Sequence, residues 1–432
     1  MTTEKSRIDH LEGLFKTYSD VPREVVVKED VLREGFALLP GAVEACKGEK
    51  RKTYQLFSWD FSEVEQTEDF SVMLPDVLEL KGGRYGLRRT RVRPRLNVNS
   101  PYCLDAVDGE LVVSDRESGE SIVPLLPFPP LPDWFNKKFE DGTLYREVSP
   151  PDGDIIVFRQ CTHWGPDEEC KYCDINRNAV MKKKLGQTQT IKPKKPEQVA
   201  AVAEEICLYA KTFPEQRAVH FHINGGSILD KLQGKTEFEF YMSFVNAIRD
   251  KIGARIPIML QTTPWPVEQE KEAASRGNIC RMSNFEVWDP DLFAAICPGK
   301  NRVYGRDFWI KGILDQVDIY GEGNVCPGFV AGVEMAKPWG FKTAEEAVKS
   351  TSEGFEFFMS HGVVPRPISW CVEALSDLAG QEPPPVDYFI QLDRSWFEIW
   401  SKYKLPPVRG LDQLGPGLNW YPNSASFDMG YV

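Results

Sequence analysis

The chain has 432 residues, of which 42% are hydrophobic, so it is long enough for one large domain with extensions or for two to three ordinary ones. Its net charge of −12 argues against a general nucleic-acid binder. No apolar run reaches the roughly 18 residues of a membrane span, and the N-terminus lacks the apolar stretch of a signal peptide. We therefore expect a cytoplasmic protein without membrane contact, in which the ten cysteines form no disulfide framework.

The first 145 residues predict an α+β region that names no chemistry. Residues 1–50 have the apolar spacing of helices, and strands are predicted at 54–59 and around 111–113. Asp108-Gly109 between apolar runs indicates a turn. The Pro-rich segment 124–132 indicates an extended linker, so we place a domain boundary near residue 145.

From residue 150 onward, strand and helix patterns alternate, which predicts parallel strands joined by right-handed crossovers. Six such units are fewer than the eight of a closed barrel. We therefore expect an α/β fold: a partial (β/α)6 barrel over 146–375, the N-terminal α+β extension 1–145, and a C-terminal aromatic and Pro-rich cover over 376–432. Its strands are predicted at 155–158, 218–223, 256–261, 279–285, 328–332 and 362–365. Active sites of such sheets lie at the carboxyl ends of the strands.

Three cysteines follow the first predicted strand of this core within 13 residues. Cys161, Cys170 and Cys173 are soft ligands at C-x8-C-x2-C spacing, which suits iron or zinc. Three thiolates would leave one iron of a [4Fe–4S] cluster open to another ligand. Tyr172 directly precedes the last cysteine, where its ring is placed to pack over the cluster.

This stretch resembles the radical S-adenosylmethionine (SAM) superfamily, in which a strand precedes a three-cysteine loop ending in C-x-aromatic-C. The usual first gap is three residues, whereas here it is eight, and the core is loosely similar to biotin-synthase-like and HydE-like members. The resemblance implies a [4Fe–4S] cluster, SAM, and one electron from a flavodoxin- or ferredoxin-type donor. It further implies a 5′-deoxyadenosyl radical that abstracts hydrogen from an unidentified, small-molecule or other, substrate.

The resemblance also assigns SAM contacts to the ends of the second and fourth strands. Asn224-Gly225-Gly226-Ser227 is similar to the family's "GGE" motif, whose backbone holds the SAM amino group, with Ser227 in place of the acid. A simple glycine turn is the alternative. Glu286 is the analogue of an acid that receives the SAM ammonium or a substrate donor, and the alternative is a helix-terminus acid without a ligand.

Further contacts are implied later in the chain. Arg302 and Arg306 lie where relatives meet the SAM carboxylate, and the choice between them stays open, as does a surface role. Gly332 belongs to a run that resembles the adenine-contacting G-x-I-x-G-x-x-E motif, and Val364 is expected beside adenine at the end of the sixth strand. Arg366 either faces substrate, as a catalytic residue together with Glu286, or caps the sheet.

Two other functions remain open at this point. Cys161, Cys170 and Cys173 with His163 would make a Cys3His zinc site, although His163 lies only two residues from Cys161. A non-catalytic iron–sulfur protein is the other alternative. The metal present distinguishes zinc from iron, and SAM binding distinguishes an enzyme from a scaffold.

Overall fold

The computed structural model describes residues 6–45, 51–53, 71–73, 77–127, 132–184, 191–212, 220–409 and 421–430. The N-terminal part contains three helices: α1 (Arg7–Thr17), α2 (Arg23–Glu34) and α3 (Pro40–Ala45). Its strands are β1 (Ala37–Leu38), β2 (Arg51–Thr53), β3 (Ser71–Met73), β4 (Leu78–Gly82), β5 (Leu87–Val92), β6 (Tyr102–Val107), β7 (Glu110–Asp115) and β8 (Ser121–Pro124). The order β1-β6-β7-β8 forms one sheet, and β4-β5 and β2-β3 are antiparallel pairs.

The predicted turn at Asp108-Gly109 is confirmed as the tip of the β6–β7 hairpin. Both residues have positive φ angles, 53° and 84°, as a tight hairpin turn requires. The strand expected at 54–59 lies outside the described residues. The segment expected to be a linker instead begins inside the sheet, because Pro124 ends β8 and the Leu125 N–H donates to the Leu111 carbonyl at 2.9 Å.

The second part alternates helices and strands. Its strands are β9 (Asp154–Phe158), β10 (Phe221–Gly225), β11 (Ile258–Leu260), β12 (Ile279–Arg281), β13 (Gly328–Ala331) and β14 (Arg366–Ser369). Its helices are α4 (Tyr145–Val148), α5 (Ile175–Lys184), α6 (Pro196–Thr212), α7 (Glu237–Ile252), α8 (Val267–Ser275), α9 (Pro290–Ile296), α10 (Pro298–Val303), α11 (Arg306–Tyr320), α12 (Ala344–Met359) and α13 (Val386–Tyr403). No helix among the described residues is long and apolar enough to cross a membrane.

The helices begin where the sequence supplies caps. Asp289 accepts hydrogen bonds from the first turn of α9, and Pro290 occupies the first helical position, as its sequence predicts. Thr236 and Glu239 form a capping box at the start of α7, and Gly253 ends that helix with φ 72°.

The six core strands run parallel, as predicted. Hydrogen bonds join β9, β10, β11 and β12 in that spatial order, and β13 pairs with β14. Two parallel bridges, Arg281 to Val325 and Glu286 to Phe329, connect the β12 end of the first group to the second. The α/β class is therefore confirmed, with the strands in chain order from β9 to β14.

The sixth strand lies later than predicted. The sequence places it at 362–365, whereas β14 begins at Arg366, which pairs with Gly328, the first residue of β13. Gly362, with φ 80°, belongs to the turn before it. Val364 and Arg366 therefore lie at the amino end of the sixth strand, and the carboxyl end is formed by Ser369 and the residues after it.

The two larger apolar cores of the described residues occupy the two parts. One surrounds β9–β14 and their helices and begins at Trp134. The other contains α1, α2 and strands β4–β8, together with Val386, Ile390 and Ala425 from the C-terminal segment. Helix α13 thus packs between the two cores.

Candidate active site

A cavity of about 370 Å³ opens at the carboxyl ends of the parallel strands. Residues of the first strand, such as Ile156, and of the last strand, such as Ile368, both line it. We call it the strand-end cavity. Nine residues singled out from the sequence line it: Cys161, Cys170, Tyr172, Cys173, Asn224, Gly225, Gly226, Ser227 and Glu286.

The cysteine loop, residues 161–173, is fixed to the second strand and to the helix that follows the loop. The Thr162 N–H donates to the Ser227 carbonyl at 3.0 Å. Asn176, in the first turn of α5, clamps Cys161: its Oδ1 accepts from the Cys161 N–H, and its Nδ2 donates to the Cys161 carbonyl, both at 2.7 Å. The position of the first cysteine therefore depends on a residue that sequence reasoning missed.

Ion pairs hold the outer side of the same loop. Arg177 pairs with Glu169 and with Asp377, and the Lys171 ammonium lies 3.1 Å from the Asp377 carboxylate. Asp377 comes from the segment after β14. These contacts fasten the loop to the last strand's side of the cavity, as Ser227 fastens it to the second strand.

The three thiols have different electrostatic environments. Burial raises the pKa of the Cys161 and Cys173 thiols. A hydrogen bond from the Cys297 thiol, aided by the nearby Lys300 ammonium, holds the pKa of Cys170 below its ordinary value. Three soft ligands on one cavity fit a [4Fe–4S] cluster, in which each cysteine binds a different iron.

His163 does not join the cysteines on the cavity. Its buried ring contacts Tyr304, with the ring centroids 6.2 Å apart, and its Nδ1 lies 3.7 Å from the Glu168 carboxylate. Among the described residues, no group of three His, Cys, Asp or Glu side chains is placed to share one metal ion, whereas the cysteines of a cluster each bind a different iron.

The glycine pair after β10 lies directly against the cysteine loop. A Cβ on Gly226 would stand 1.9 Å from the Gln160 carbonyl oxygen and 2.6 Å from the Cys161 Cα. A Cβ on Gly225 would stand 2.6 Å from the Tyr241 hydroxyl. Both positions therefore require glycine for packing, and both also line the cavity. The glycine pair thus forms a tight turn and at the same time exposes its backbone to the cavity.

Asn224 and Ser227 flank this glycine pair. The Asn224 amide donates to Asp154 Oδ1 at 2.6 Å, across from β10 to β9. The Ser227 carbonyl is taken by Thr162, as described above. Ser227, which stands where the motif that this stretch resembles has an acid, lines the cavity.

Glu286 forms a buried ion pair with Lys300. Lys300 is not among the site residues predicted from the sequence. The Lys300 ammonium also lies 4.5 Å from the centroid of the Trp309 ring. Burial lowers the pKa of Lys300, but the Glu286 carboxylate and the Cys170 and Cys297 side chains together outweigh burial and raise this pKa above its ordinary value. Lys300 lies in the same connection as Arg302 and Arg306, and its cation, not theirs, lines the cavity.

Glu286 also has an unusual backbone. Its φ is 77°, a left-handed conformation that is strained for a residue other than glycine. Hydrogen bonds fix it: its N–H donates to the Gly328 carbonyl at 2.9 Å, and its carbonyl accepts from the Val330 N–H at 2.8 Å. Glu286 lines the cavity in this conformation.

The two arginines expected near the SAM carboxylate lie outside the cavity. Arg302 is largely exposed and pairs with Glu168. Arg306 donates to the Trp288 carbonyl at 3.1 Å, and its guanidinium lies 4.3 Å from the centroid of the Trp288 ring. The spacing on α10 explains this difference, because Lys300 faces inward and Arg302, two residues later, faces the opposite side of the helix.

Gly332 also lies outside the cavity lining. It has φ 103°, and a Cβ there would stand 2.7 Å from Pro384 Cγ. Its N–H donates to Glu334 at 2.8 Å, and the Glu334 carboxylate accepts hydrogen bonds from Thr351 and Tyr388. The glycine and the acid of this motif therefore join β13 to α12 and α13, and Val330 of the same strand lines the cavity.

Val364 and Arg366 belong to the opposite edge of the sheet. Val364 is buried before β14 begins. Arg366 lies 3.9 Å from the centroid of the Tyr421 ring and 3.5 Å from the Met282 sulfur. Because the strand starts later than predicted, Arg366 packs as a cap at the amino ends of the strands, away from the cysteines.

Comparisons with known proteins give distant relatives. No family model matches the chain. Solved structures that resemble it are the FeFe-hydrogenase maturase HydG of Carboxydothermus hydrogenoformans (11% identity, 63% of this chain and 61% of that chain, TM-score 0.36) and a radical SAM methyltransferase of Sphaerobacter thermophilus (14%, 76% and 82%, TM-score 0.38). Another is coproporphyrinogen III oxidase (HemN) of Escherichia coli, a radical SAM enzyme (9%, 64% and 59%, TM-score 0.34). At these TM-scores the overlays carry no residue-by-residue argument.

A curated relative is similar in sequence. It is the bacteriochlorophyllide c C-7(1)-hydroxylase of Chlorobaculum limnaeum, 28% identical over 137 residues. The chain is therefore similar to radical SAM enzymes, the superfamily that its cysteine loop resembles. The match covers 32% of this chain and 31% of the hydroxylase, about a third of each.

Proposed function

We propose that this radical SAM relative binds a [4Fe–4S] cluster through Cys161, Cys170 and Cys173 and binds SAM beside it in the strand-end cavity. The six parallel strands would form a partial (β/α)6 barrel around that cavity. One observation carries the proposal: the three cysteines, the glycine pair and the Glu286–Lys300 ion pair all line a single cavity at the carboxyl ends of parallel strands.

The Glu286–Lys300 pair suits the amino-acid end of SAM. That end is a zwitterion, with an ammonium and a carboxylate on one carbon. A buried carboxylate next to a buried ammonium presents the two complementary charges at short range. We therefore assign Glu286 to the SAM ammonium and Lys300 to its carboxylate, in place of Arg302 or Arg306.

When bound, the cluster and SAM would supply hydrogen-atom abstraction by a 5′-deoxyadenosyl radical, with one electron from a flavodoxin- or ferredoxin-type donor. The chain's own residues bind, orient and exclude water. Asn176 fixes the first cysteine, and Gly226 lets the loop approach β10. Tyr172, whose hydroxyl pKa burial raises well above its ordinary value, keeps a neutral ring at the cavity wall.

The test is anaerobic purification followed by measurement of iron, sulfide, zinc and the visible spectrum, with and without SAM and dithionite. We expect about four irons per chain and release of 5′-deoxyadenosine. Cys161→Ala, Cys170→Ala and Cys173→Ala should each lose iron. Cys207→Ala, a half-buried cysteine of α6 away from the cavity, is the matched control and should keep it.

Two results would overturn the proposal. One zinc per chain with no iron would favour the zinc alternative. An intact cluster that releases no 5′-deoxyadenosine with SAM and dithionite would favour a non-catalytic iron–sulfur protein.

A further inference from the structure

The strand-end cavity continues beyond the cysteines to an end that carries positive charge. Two cations define this basic end: Arg159, the first residue after β9, and Lys182 on α5. The face of α5 that lines the cavity repeats at helical spacing: Ile175, Asn178, Ala179 and Lys182. Lys182 lies about 10 Å along this helix from Ile175, because each helical residue rises about 1.5 Å. Since Ile175 comes two residues after Cys173, Lys182 is displaced from Cys173 along α5, whereas Arg159 lies two residues before Cys161 in the chain.

Lys182 is a buried cation without a protein counter-charge in the described part of the chain. Its side chain is 94% buried, the remaining 6% being exposed. Neither a hydrogen bond nor an ion pair joins its ammonium to another described residue. Burial and, to a smaller extent, the Arg159 guanidinium lower the pKa of Lys182 to about 7, and Asp174 opposes them least strongly.

Among the described residues, Arg159 also lacks a charged partner, but its side chain is only partly buried. Its guanidinium forms no ion pair or hydrogen bond with the residues that the structure describes, and burial lowers its pKa. Lys194 adds to the positive field, with a pKa that burial and then Arg159 lower to about 7, but its ammonium donates to the Glu147 carbonyl outside the cavity. The one nearby acid that favours the Arg159 charge, Asp154, is already bonded to Asn224.

Uncompensated cations are costly to bury, so a site that keeps two of them facing a cavity is complementary to an anion. An arginine offers a planar pair of N–H donors and a lysine ammonium a third donor, a set that matches the oxygens of a carboxylate or a phosphate. The walls of the same cavity include Ile156, Ile191 and Trp370, which suit an apolar body.

We propose that Arg159 and Lys182 bind a carboxylate or phosphate group of the substrate, and that the substrate is an anion with an apolar body lying between them and the cysteines. This proposal rests on the proposed function, which places the radical chemistry at the cysteine end. The rival ligand for these cations is the carboxylate of SAM itself, which we assign instead to Lys300.

The experiment is protection of Lys182 from acylation in the anaerobically prepared holoenzyme. Acetic anhydride is applied at pH 7, and peptide mass spectrometry follows Lys182 against Lys311, whose side chain is 73% exposed. Inorganic phosphate and benzoate are the anionic probes, and benzamide is the neutral counterpart of benzoate. We expect at least one anion to slow acylation of Lys182 relative to Lys311 by about ten-fold, with no effect of benzamide; the effective probe distinguishes phosphate from carboxylate.

Variants test whether the protection of Lys182 by anions depends on Arg159. Arg159→Gln should reduce it to about two-fold or less, whereas Lys183→Met, an exposed neighbour on α5, should leave it unchanged. In anion-free buffer Lys182→Met should raise the Tm, because it removes an uncompensated buried charge. A lower Tm would reveal a protein partner for that cation and would overturn the proposal, as would a lack of protection by either anion.

SAM and the radical chemistry are tested in the same preparation. If SAM protects Lys182 and this protection is lost in Arg159→Gln, the cations bind SAM, and the substrate proposal is wrong. Failure of the wild-type protein to release 5′-deoxyadenosine would instead overturn the proposed function, and the anion protection at Lys182 would still report on the basic end by itself.

Discussion

Asn176 and Cys161 are joined by a closed pair of hydrogen bonds, both 2.7 Å long, between one side-chain amide and one backbone residue. Replacing Asn176 by Ala would leave a cysteine N–H and carbonyl unsatisfied at about 1–3 kcal/mol each if they stay buried. We expect Asn176→Ala to hold less iron and to lose it several-fold faster to a chelator. Anaerobic chelator kinetics would measure this.

The control for this clamp is Asn301→Ala, on the exposed side of α10. It should hold and lose iron as the wild type does. Equal retention of iron by the Asn176 and Asn301 variants would contradict a role for the clamp.

Gly226→Ala is the sharpest test of the contact between β10 and the cysteine loop. The new methyl group would meet the Gln160 carbonyl at 1.9 Å, and backbone atoms cannot rotate away as a side chain does. We expect a loss of at least about 3 kcal/mol in the free energy of unfolding, measured by denaturant titration, together with poor iron incorporation.

Gly13→Ala is the matched control for this substitution. It lies within α1, where a Cβ meets nothing within 4 Å, so it should stabilise the protein by about 0.5–1 kcal/mol. A Gly226→Ala protein as stable and as iron-rich as the Gly13 variant would show that the loop does not press on β10.

The sequence predicted best those site residues that lie next to a clear strand pattern in the chain. The sequence led to the cysteines, the glycine pair and Glu286, which line the cavity, because each directly follows a strand whose hydrophobic pattern is clear, and strand ends converge on one edge. For Arg366 the sequence left a substrate-facing and a sheet-capping position open. The turn at Gly362 delays β14, and this shift of a few residues places Arg366 at the amino edge of the sheet, as a cap.

Residues that act across the fold left weaker signals. The sequence pointed to Arg302 and Arg306 and not to Lys300. Helix α10 is so short that residue spacing does not predict its buried face, and in the structure Lys300 packs against Trp309. Nothing in the sequence marked Asn176 as a clamp, since an asparagine early in a helix is ordinary. The basic run 182–184 was visible, but only the fold separates buried Lys182 from its exposed neighbours.

The Glu286–Lys300 pair yields a prediction about coupling. Lys300→Met would leave a carboxylate buried without its cation, which costs about 3–5 kcal/mol. Adding Glu286→Gln to this variant removes the stranded charge, so the double variant should be more stable than the sum of the two single losses indicates. Denaturant titrations of the four proteins give this coupling energy.

Arg302→Met is the control for Lys300→Met. Its ion pair with Glu168 is exposed, so the loss should stay under about 1 kcal/mol. Binding of SAM should weaken in the Lys300 variant and not in the Arg302 variant. The reverse order of SAM affinities would restore the assignment made from sequence and contradict the one made from the cavity.

His220 provides a prediction about acid. It is fully buried just before β10, and burial, followed by the charges of His222 and Arg366, holds its pKa well below the ordinary 6.5, with Asp154 acting in the opposite direction. Below about pH 6.5 the His220 imidazole therefore binds a proton in the unfolded chain but stays neutral in the folded chain. Its contribution to stability is complete above pH 6.5 and is lost as the pH falls, at up to about 1.4 kcal/mol per pH unit.

We expect His220→Asn to flatten the fall in unfolding free energy between about pH 6.5 and 5, whatever its effect at neutral pH, because the variant has no proton to take up at this position. Denaturant titrations at several pH values measure the slope. His361→Asn, which removes an exposed histidine at the end of α12, should leave the slope as in the wild type. Equal slopes in the wild type and the His220 variant would mean that the protein admits this proton while folded.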